Sequence, residues 1–328
     1  MKKAGCLIEK IADLDNLRLA FWKAKKGKEA KPEVFKFSCL LDENLLKIRE
    51  QVLSGSIEVG NYRLFTVFDP KERQICAAPF AQRVMHHALM NICHTELEKK
   101  QVFDSYASRL GKGTYAALDR AVGYTDKYGW FLKLDVRKYF DNISHLILKE
   151  QLAKMFKDRS LLCIFSSIID SYKVAENKGL PIGNLTSQYF ANHYLSVADH
   201  FVKEKLHIPA YVRYMDDMVL WHNDKDILLE KGKAFEDFIV NKLDLRLKPF
   251  CLNRTGQSLP FLGYLLYKNK IRLARRSKMR FIHKIKCFDQ GLSNGTLSQK
   301  EYQQHVLPLV SFTQYANAKL FRKKVMGF

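Results

Sequence analysis

The sequence has no Cys-x-x-Cys pair, although it contains seven cysteines in 328 residues. An odd number of widely spaced cysteines argues against a disulfide framework and is typical of reduced thiols. The pairs His86-His87 and Cys93-His94 lack the spacing of zinc ligands, so we interpret them as core or surface residues of a helix. Reduced thiols predict a cytoplasmic protein.

Long apolar runs are also missing. The longest one, Leu161–Phe165, is far shorter than the roughly 20 residues that cross a bilayer as a helix. The N-terminus lacks the apolar core of a secretory signal, and no lysine-bearing amphipathic helix indicates a membrane-surface anchor. We therefore expect no membrane partner and a cytoplasmic location.

Acidic residues are scarce relative to basic ones. Lysine and arginine total 55 against 34 aspartates and glutamates, which gives a net charge of +21 that is spread along the chain. Such a charge favours a polyanion, because each phosphate that a protein neutralises releases counterions. Apolar residues make up 47% of the chain, enough for a globular protein of two or three domains. Nucleic acid is the predicted partner.

A Walker phosphate-binding loop is absent. The stretch Arg109-Leu110-Gly111-Lys112-Gly113-Thr114 has the wrong spacing, and no hydrophobic strand precedes it. Its glycines and basic side chains still suit close approach to a nucleic-acid backbone, and a helix from Tyr115 would present its positive N-terminus there.

Two adjacent acids stand in the middle of an apolar stretch, Tyr211–Trp221. Aromatic and branched residues on both sides of Asp216-Asp217 predict strand, tight turn and strand, with the acids at the turn. Carboxylates beside an apolar sheet favour neutralisation unless a cation is near, which suggests a metal site. A solvated Asp-Asp turn is the alternative at this point.

A third acid, Asp135, ends a predicted strand of large residues that begins at Trp130, 81 residues before Asp216. An acid at a strand end is suited to hold a metal ion, and the carbonyl of Val136 can add an oxygen. Asp135 and Asp216 together form a two-part carboxylate site, which favours the metal interpretation of the Asp-Asp turn.

The remaining pattern supplies strands, helices and a glycine-bearing loop. Basic residues Lys71 and Arg73 stand at a turn between two predicted strands, and Ser187 suits a helix cap. The predicted elements are strands 60–68, 74–78 and 261–267, helices 80–99, 188–206 and 226–243, helical structure over 146–176, the loop 179–188, and a basic segment of helical character from 268 onward.

Taken together and in this order, the segments over about residues 60–328 resemble a reverse transcriptase. Tyr214-Met215-Asp216-Asp217 matches the YxDD motif of that family, Asp135 with Phe140 matches its first acidic motif, and Phe261-Leu262-Gly263-Tyr264 is similar to its primer grip. The resemblance implies an α/β right-hand polymerase with fingers, a palm of antiparallel strands backed by helices, and a helical thumb. We expect a helical lead-in over 1–59, interleaved fingers and palm over 60–266, and a basic thumb over 267–328.

The loop resembles one subfamily in particular. Most bacterial relatives carry glutamine before the loop glycine and Ser-Pro after it, whereas this chain has Ile182 before Gly183, then Ser187-Gln188. That pattern is similar to the reverse transcriptases of diversity-generating retroelements. It implies a bacterial or phage-encoded enzyme with low fidelity opposite template adenine, and a small basic accessory protein. Alternatives are a retron, group II intron-like or phage-defence enzyme, and a non-catalytic RNA-binding protein.

The resemblance also implies the cofactor and the catalytic groups. Two Mg²⁺ ions, with Mn²⁺ as a possible substitute, would stabilise charge during nucleotidyl transfer from a dNTP to a primer hydroxyl. Asp135, Asp216 and the Val136 carbonyl are the expected metal ligands, and Asp217 is a supporting catalytic residue.

Substrate contacts follow from the same resemblance. Phe140 resembles the residue that excludes a 2′-hydroxyl, and Ile182 replaces a glutamine that orders the nascent base pair. The expected nucleotide-binding residues are Lys71, Arg73, Phe140, Ile182, Gly183, Gln188 and Lys248. The expected contacts to template RNA and to the cDNA/RNA duplex are Arg109, Lys112, Tyr214, Met215, Phe261, Gly263, Arg275 and Arg276.

Overall fold

The structure is a computed structural model that describes residues 3–68 and 72–327. Within these residues the chain forms helices and antiparallel strands. The α-helices are α1 (Ile8–Ile11), α2 (Leu14–Lys25), α3 (Pro32–Cys39), α4 (Leu41–Ser54), α5 (Phe80–Glu98), α6 (Thr114–Lys127), α7 (Tyr139–Asn142), α8 (His145–Ala153), α9 (Arg159–Asp170), α10 (Leu185–His200), α11 (Lys225–Leu243), α12 (Arg275–Ser293), α13 (Gln299–Gln314) and α14 (Lys319–Met326). The strands are β1 (Arg63–Val67), β2 (Arg73–Ala77), β3 (Trp130–Asp135), β4 (Ala210–Tyr214), β5 (Asp217–His222), β6 (Cys251–Arg254), β7 (Leu259–Phe261), β8 (Tyr264–Tyr267) and β9 (Lys270–Leu273).

The chain divides into two compact units, each built from three separate segments. The first unit takes the segments up to Gly111, Asp135–His207 and Lys233–Lys248, and the second takes Lys112–Leu134, Ile208–Gly232 and the rest from Pro249. Strand β3 therefore passes from the second unit into the first at its last residue. The predicted boundaries at 59/60 and 266/267 stay a prediction.

The first unit is mainly helical. Asp13 caps α2 by accepting hydrogen bonds from two backbone amides, and α2 packs on α5. Burial of Phe21, Phe37 and Phe80, whose ring centroids lie 5.1–6.0 Å apart, joins α2, α3 and α5 in one core. The hairpin β1–β2 pairs antiparallel from Arg63 opposite Ala77 to Val67 opposite Arg73. This unit carries the predicted strands around the basic turn.

The second unit contains two sheets. One has the strand order β4-β5-β3-β6, and the other has the order β7-β8-β9. Helix α6 packs on the first sheet, where the Trp221 indole donates to the Thr125 hydroxyl at 3.3 Å. Helices α12–α14 enclose a smaller core around Phe281, Ile285 and Val306. Along β4 and β5 almost every side chain is buried, so this hairpin has little freedom to move.

The structure confirms the predicted Asp-Asp hairpin, the strand that ends at Asp135 and the hairpin around the basic turn. Several predicted elements have other bounds, and the helical structure predicted over 146–176 is the two helices α8 and α9. The strand 261–267 is two strands, β7 and β8, because Leu262 and Gly263 turn the chain with φ of 47° and 87°. Helix α10 begins at Leu185, so Ser187 lies in its first turn and is not the cap.

The segment after 267 also differs from the expected all-helical thumb, because Lys270–Leu273 forms strand β9 before the helices begin. The helical character that we predicted from residue 268 onward begins only at Arg275. A separate observation is that no helix of the part described is long and apolar enough to cross a membrane.

Candidate active site

The Asp-Asp turn is a two-residue hairpin loop. Tyr214 pairs with Asp217, so Met215 and Asp216 form the loop between β4 and β5. Met215 adopts the left-handed conformation with φ of 55°, which is unusual for a residue other than Gly, Asn or Asp. Buried Arg213 donates from its guanidinium to the Met215 carbonyl at 3.2 Å. Arg213 thus holds the turn in a strained backbone conformation, and such conformations are common at functional sites.

The residues around this turn fix its direction. The Thr114 hydroxyl at the start of α6 donates to the Tyr214 hydroxyl at 3.2 Å. Asp217 is the first residue of β5, and its carboxylate lies 2.8 Å from the ammonium of Lys133 on β3. The side chain of Asp217 is therefore close to a positive charge supplied by the chain itself.

Asp135 forms an ion pair with a lysine of the first unit. The Lys248 ammonium donates to the Asp135 carboxylate at 2.6 Å, and the Lys248 amide donates to the Asp135 carbonyl at 2.9 Å. Val136 lies opposite Leu247 in an antiparallel bridge. The two backbone hydrogen bonds of this bridge are made by the residues on either side, from the Arg137 amide to the Arg246 carbonyl and from the Lys248 amide to the Asp135 carbonyl. In such a pair the carbonyl of Val136 points away from the partner segment. Lys248, which we predicted near the nucleotide, contacts Asp135.

The donor chemistry of these acids fits a hard divalent cation. Carboxylates and a carbonyl oxygen are the ligands that Mg²⁺ prefers, and a lysine ammonium lies 2.6 Å from the Asp135 carboxylate and another lies 2.8 Å from the Asp217 carboxylate. No group of three or more His, Cys, Asp or Glu side chains suited to a metal occurs among residues 3–68 and 72–327. Asp135 belongs to the first unit and Asp216 to the second. Their joint site stays a prediction.

The predicted nucleotide-binding segments are joined by backbone hydrogen bonds in the first unit. The Leu180 amide donates to the Phe140 carbonyl at 2.8 Å, and the Cys76 amide of β2 donates to the Ile182 carbonyl at 2.8 Å. Phe140 lies in the short helix α7 and is half-buried, and Arg73 is exposed at the start of β2. The loop that carries Ile182 therefore connects the strand of Arg73 to the helix of Phe140.

Gly183 has a specific reason to be glycine. Its φ is 118°, and a Cβ atom there would lie 2.9 Å from Ile75 Cγ2 and 3.2 Å from the Cys76 carbonyl oxygen. Gly183 therefore lies closely against β2. Gln188 is exposed on α10 and accepts from the Ser108 hydroxyl at 3.0 Å. Lys71, with the turn 69–71, lies outside the described residues.

Arg109 has a different role from the predicted one. Its guanidinium bonds to the Glu98 carboxylate at 2.6–3.1 Å and to the carbonyls of Val102 and Ser105 at 2.6 and 2.5 Å. Only 8% of its side chain is exposed. Because these acceptors occupy its donors, Arg109 holds the loop after α5 together and does not face a nucleic acid.

The other predicted primer and template residues lie in the second unit. Phe261 is buried at the end of β7, and Gly263 follows in the turn before β8. The exposed Arg275 and Arg276 start α12, and Lys112 is half-buried just before α6. The exposure of the two arginines is consistent with the predicted contact to nucleic acid.

Sequence reasoning missed a basic groove in the first unit. This groove, with a volume of about 400 Å³, is lined by Lys28, Lys31, Arg63 and Arg83, among others, and Glu33 pairs with Arg83. Burial, followed by the charges of Arg83 and Lys31, lowers the pKa of Lys28. Phe65, 43% exposed, adds an aromatic face. The lysine-rich stretch 23–31 was the only signal, and spacing alone does not relate it to Arg63.

The pKa of His87 is affected by the same positive charges. Burial, followed by the charges of Lys23, Lys28 and Arg83, lowers the pKa of His87 to about 4. His87 is therefore neutral at physiological pH, and the positive charge of the groove comes from its lysines and arginines.

Solved structures define the fold class. The chain is similar to apo telomerase from Candida tropicalis with a TM-score of 0.52 and 13% identity, over 88% of this chain and 64% of that one. It is also similar to Candida albicans telomerase in complex with a TWJ fragment of telomeric RNA, with a TM-score of 0.51 and 12% identity, over 83% and 57% of the two chains. The fold is that of a right-hand polymerase, of mixed α/β class with antiparallel sheets.

The sequence places the chain within that class. Residues 68–266 match the family described as reverse transcriptase (RNA-dependent DNA polymerase), and the chain belongs to this family. Curated relatives include two Saccharomyces cerevisiae proteins. The putative COX1/OXI3 intron 1 protein is 20% identical over 50% of this chain, and the intron 2 protein is 23% identical over 58%. The matched part spans 21% of the length of each relative.

Proposed function

We propose that the protein is an RNA-directed DNA polymerase that extends a primer along a template RNA. Membership of the reverse transcriptase family carries this proposal, together with Asp216 and Asp217 on a buried, strained hairpin. Asp135, at the end of β3, is the third acid of the proposed site. The domain assignment of fingers, palm and thumb belongs to the same proposal.

In this mechanism Asp135, Asp216 and the Val136 carbonyl would hold Mg²⁺, or Mn²⁺ in its place. When bound, the two ions supply charge stabilisation for in-line attack of the primer hydroxyl on the α-phosphate. Lys248 and Lys133 orient the carboxylates of Asp135 and Asp217 before substrate arrives. The hairpin and its Arg213 support keep Asp216 fixed, which lowers the reorganisation needed during reaction.

The incoming dNTP would contact the joined segments of the first unit. Arg73 and Lys71 neutralise its triphosphate, and Phe140 excludes a 2′-hydroxyl by steric conflict. Ile182, Gly183 and Gln188 border the nascent base pair. The backbone bonds from β2 to Ile182 and from Leu180 to Phe140 support a single binding surface.

Template RNA is the proposed polyanion. The basic groove supplies positive charge and, at Phe65, an aromatic face on which an unpaired base can stack. Arg275 and Arg276 on α12 are suited to the cDNA/RNA duplex. The telomerase with a bound telomeric RNA fragment is consistent with an RNA partner for this fold.

Within the family we assign the chain to diversity-generating retroelements, because of Ile182 and Ser187-Gln188. That assignment implies error-prone copying at template adenine and a small basic accessory protein. A group II intron-like enzyme is the second candidate, favoured by the two intron proteins among the relatives. We further propose the reducing cytoplasm as its location, since all seven cysteines are free.

The catalytic proposal is tested with Asp216→Asn. The substitution keeps the size of the side chain and removes its charge, so cDNA synthesis on an RNA template with Mg²⁺ and dNTPs should fall at least 100-fold. RNA binding, measured by fluorescence anisotropy, should stay within twofold. Wild-type protein that binds RNA without making cDNA would support the non-catalytic alternative.

The subclass proposal is tested with Ile182→Gln. A glutamine at this position can hydrogen-bond around the nascent pair, so misincorporation opposite template adenine should fall several-fold while errors at other bases change little. Deep sequencing of cDNA, made with and without a candidate accessory protein, measures this. Unchanged adenine errors would contradict the role of Ile182, and low errors in the wild type would favour the intron-like enzyme.

A further inference from the structure

Lys133 joins the Asp-Asp hairpin to a second sheet of the same unit. Its ammonium lies 2.8 Å from the Asp217 carboxylate and donates to the Pro260 carbonyl on β7 at 2.8 Å. The same ammonium lies 6.0 Å from the centre of the Phe261 ring. One side chain on β3 therefore contacts both β5 and β7.

The position suits lysine for a physical reason. Leu132 and Leu134 are buried on one face of β3, so alternation directs Lys133 to the opposite face, where 18% of its side chain is exposed. An ammonium has three donors on a flexible stem and can serve a carboxylate and a carbonyl at once. Methionine has a similar stem but no donor, and arginine presents a planar fork in place of a point charge.

The far end of this link is a fixed turn. After Pro260 and Phe261 the chain turns at Leu262 and Gly263. The Gly263 carbonyl accepts from the Ser277 hydroxyl at 2.7 Å and from the Ala274 amide at 3.1 Å, at the start of α12. A Cβ atom on Gly263 would lie 3.0–3.1 Å from Ser277 Oγ and Phe312 Cζ. The turn is therefore held at its Gly263 end by α12 and at its Pro260 end by Lys133.

We propose that Lys133 is a positioning residue that holds the Asp217 carboxylate and the turn 261–263 in register. The inference rests on the proposed polymerase function, in which the turn borders the primer end and Asp217 supports the catalytic acids. A small displacement between these two parts would separate the primer hydroxyl from its reaction partner, and displacements near 1 Å lower rates by about 100-fold.

A purely structural role makes different predictions. If Lys133 only neutralises Asp217 to stabilise the fold, its loss lowers the melting temperature and the active fraction, and the folded fraction keeps its rate. If Lys133 positions the turn, the folded protein keeps its affinity for the duplex and loses rate. Measuring the affinity for the duplex and the rate of the folded protein separately therefore distinguishes the two roles.

The experiment compares Lys133→Met, Lys133→Arg and a matched control, Lys225→Met. Lys225 also lies over an aromatic ring of β3, with its ammonium 5.7 Å from the centre of the Trp130 ring. For each folded variant we would measure the dissociation constant of a primer–template duplex in EDTA and the single-turnover rate of one nucleotide addition. Hydrogen–deuterium exchange of residues 259–264, without metal, reports the turn directly.

For Lys133→Met we expect a rate about 10- to 100-fold lower, a dissociation constant within twofold, and faster exchange at 259–264. Lys133→Arg should recover part of the rate, and Lys225→Met should match the wild type. A rate per folded molecule within twofold of the wild type for Lys133→Met, or unchanged exchange, would overturn the inference. An inactive wild type would count against the proposed function instead, and the exchange result would still decide the link.

Discussion

Gly183 combines a backbone conformation and a contact that no other residue can supply. Its φ is positive, a Cβ atom there would lie 2.9 Å from Ile75 Cγ2, and the neighbouring Ile182 carbonyl is hydrogen-bonded to β2. The glycine therefore sets how closely the loop lies against the strand of Arg73.

Replacing Gly183 with alanine should destabilise the protein by about 1–3 kcal/mol, because the new methyl group meets Ile75 and the φ is strained. The KM for dNTP should rise at the same time as the loop moves away from β2. Urea unfolding and steady-state kinetics measure the two effects. Gly256→Ala is the matched control, since a Cβ atom there has open space. Equal stability of both variants would contradict the explanation.

For individual residues, the sequence predicted which side chains belong to the candidate site better than it predicted their contacts. Asp135, Asp216 and Asp217 were found from the residues beside them. The ion pair of Asp135 with Lys248 joins positions 113 apart in the chain, and no local pattern encodes such a separation. The same reason explains why Lys133 was missed: its strand was predicted, but its partners come from two other strands.

Among the elements, the loop after α5 depends on one buried arginine. Arg109 links the end of that helix, at Glu98, to the carbonyls of two loop residues. The glycines and basic residues of 109–113 suggested contact with nucleic acid. In the structure, Arg109 of that stretch is buried and its hydrogen bonds are made within the protein.

We expect Arg109→Ala to lower the free energy of unfolding by about 2–4 kcal/mol, because it leaves Glu98 and two carbonyls without their donor. RNA affinity of the folded fraction should stay within twofold of the wild type. Lys112→Ala is the comparison, and it should weaken RNA binding with little change in stability. Calorimetry and anisotropy on both variants check this, and the reverse pattern would restore Arg109 as a template contact.

The sequence predicted these elements unequally. Strands β3, β4 and β5 follow from runs of aromatic and branched residues, and their bounds agree closely. The turn at Leu262-Gly263 was missed because apolar residues continue on both sides of it, so hydrophobic pattern alone indicates one strand. Helix α10 starts earlier than predicted because Thr186 and Ser187 are buried in its first turn, and this burial overrides the weak capping signal at Ser187.

For the whole molecule, with its net charge of +21, the response of RNA binding to salt depends on how many lysines and arginines contact phosphates. Lys31→Ala with Arg63→Ala removes two groove cations, so the slope of log affinity against log salt should become shallower by about 1.4 for single-stranded RNA. Lys47→Ala with Arg49→Ala, exposed on α4 of the same unit, is the control. Titrations at several salt concentrations measure the slopes, and equal slopes for both pairs would exclude the groove as an RNA contact.

The segments of the two units alternate along the chain, and α11 begins in one unit and ends in the other. During synthesis the first unit lacks its last segment until Lys248 has left the ribosome. Residues up to Gly111 therefore cannot complete their unit until more than a hundred further residues have been made. We infer that neither unit can be produced alone by cutting the gene once. A folding assay on nascent chains stalled when residue 207, or residue 248, has just left the ribosome should find protease resistance of the first unit only in the longer chain.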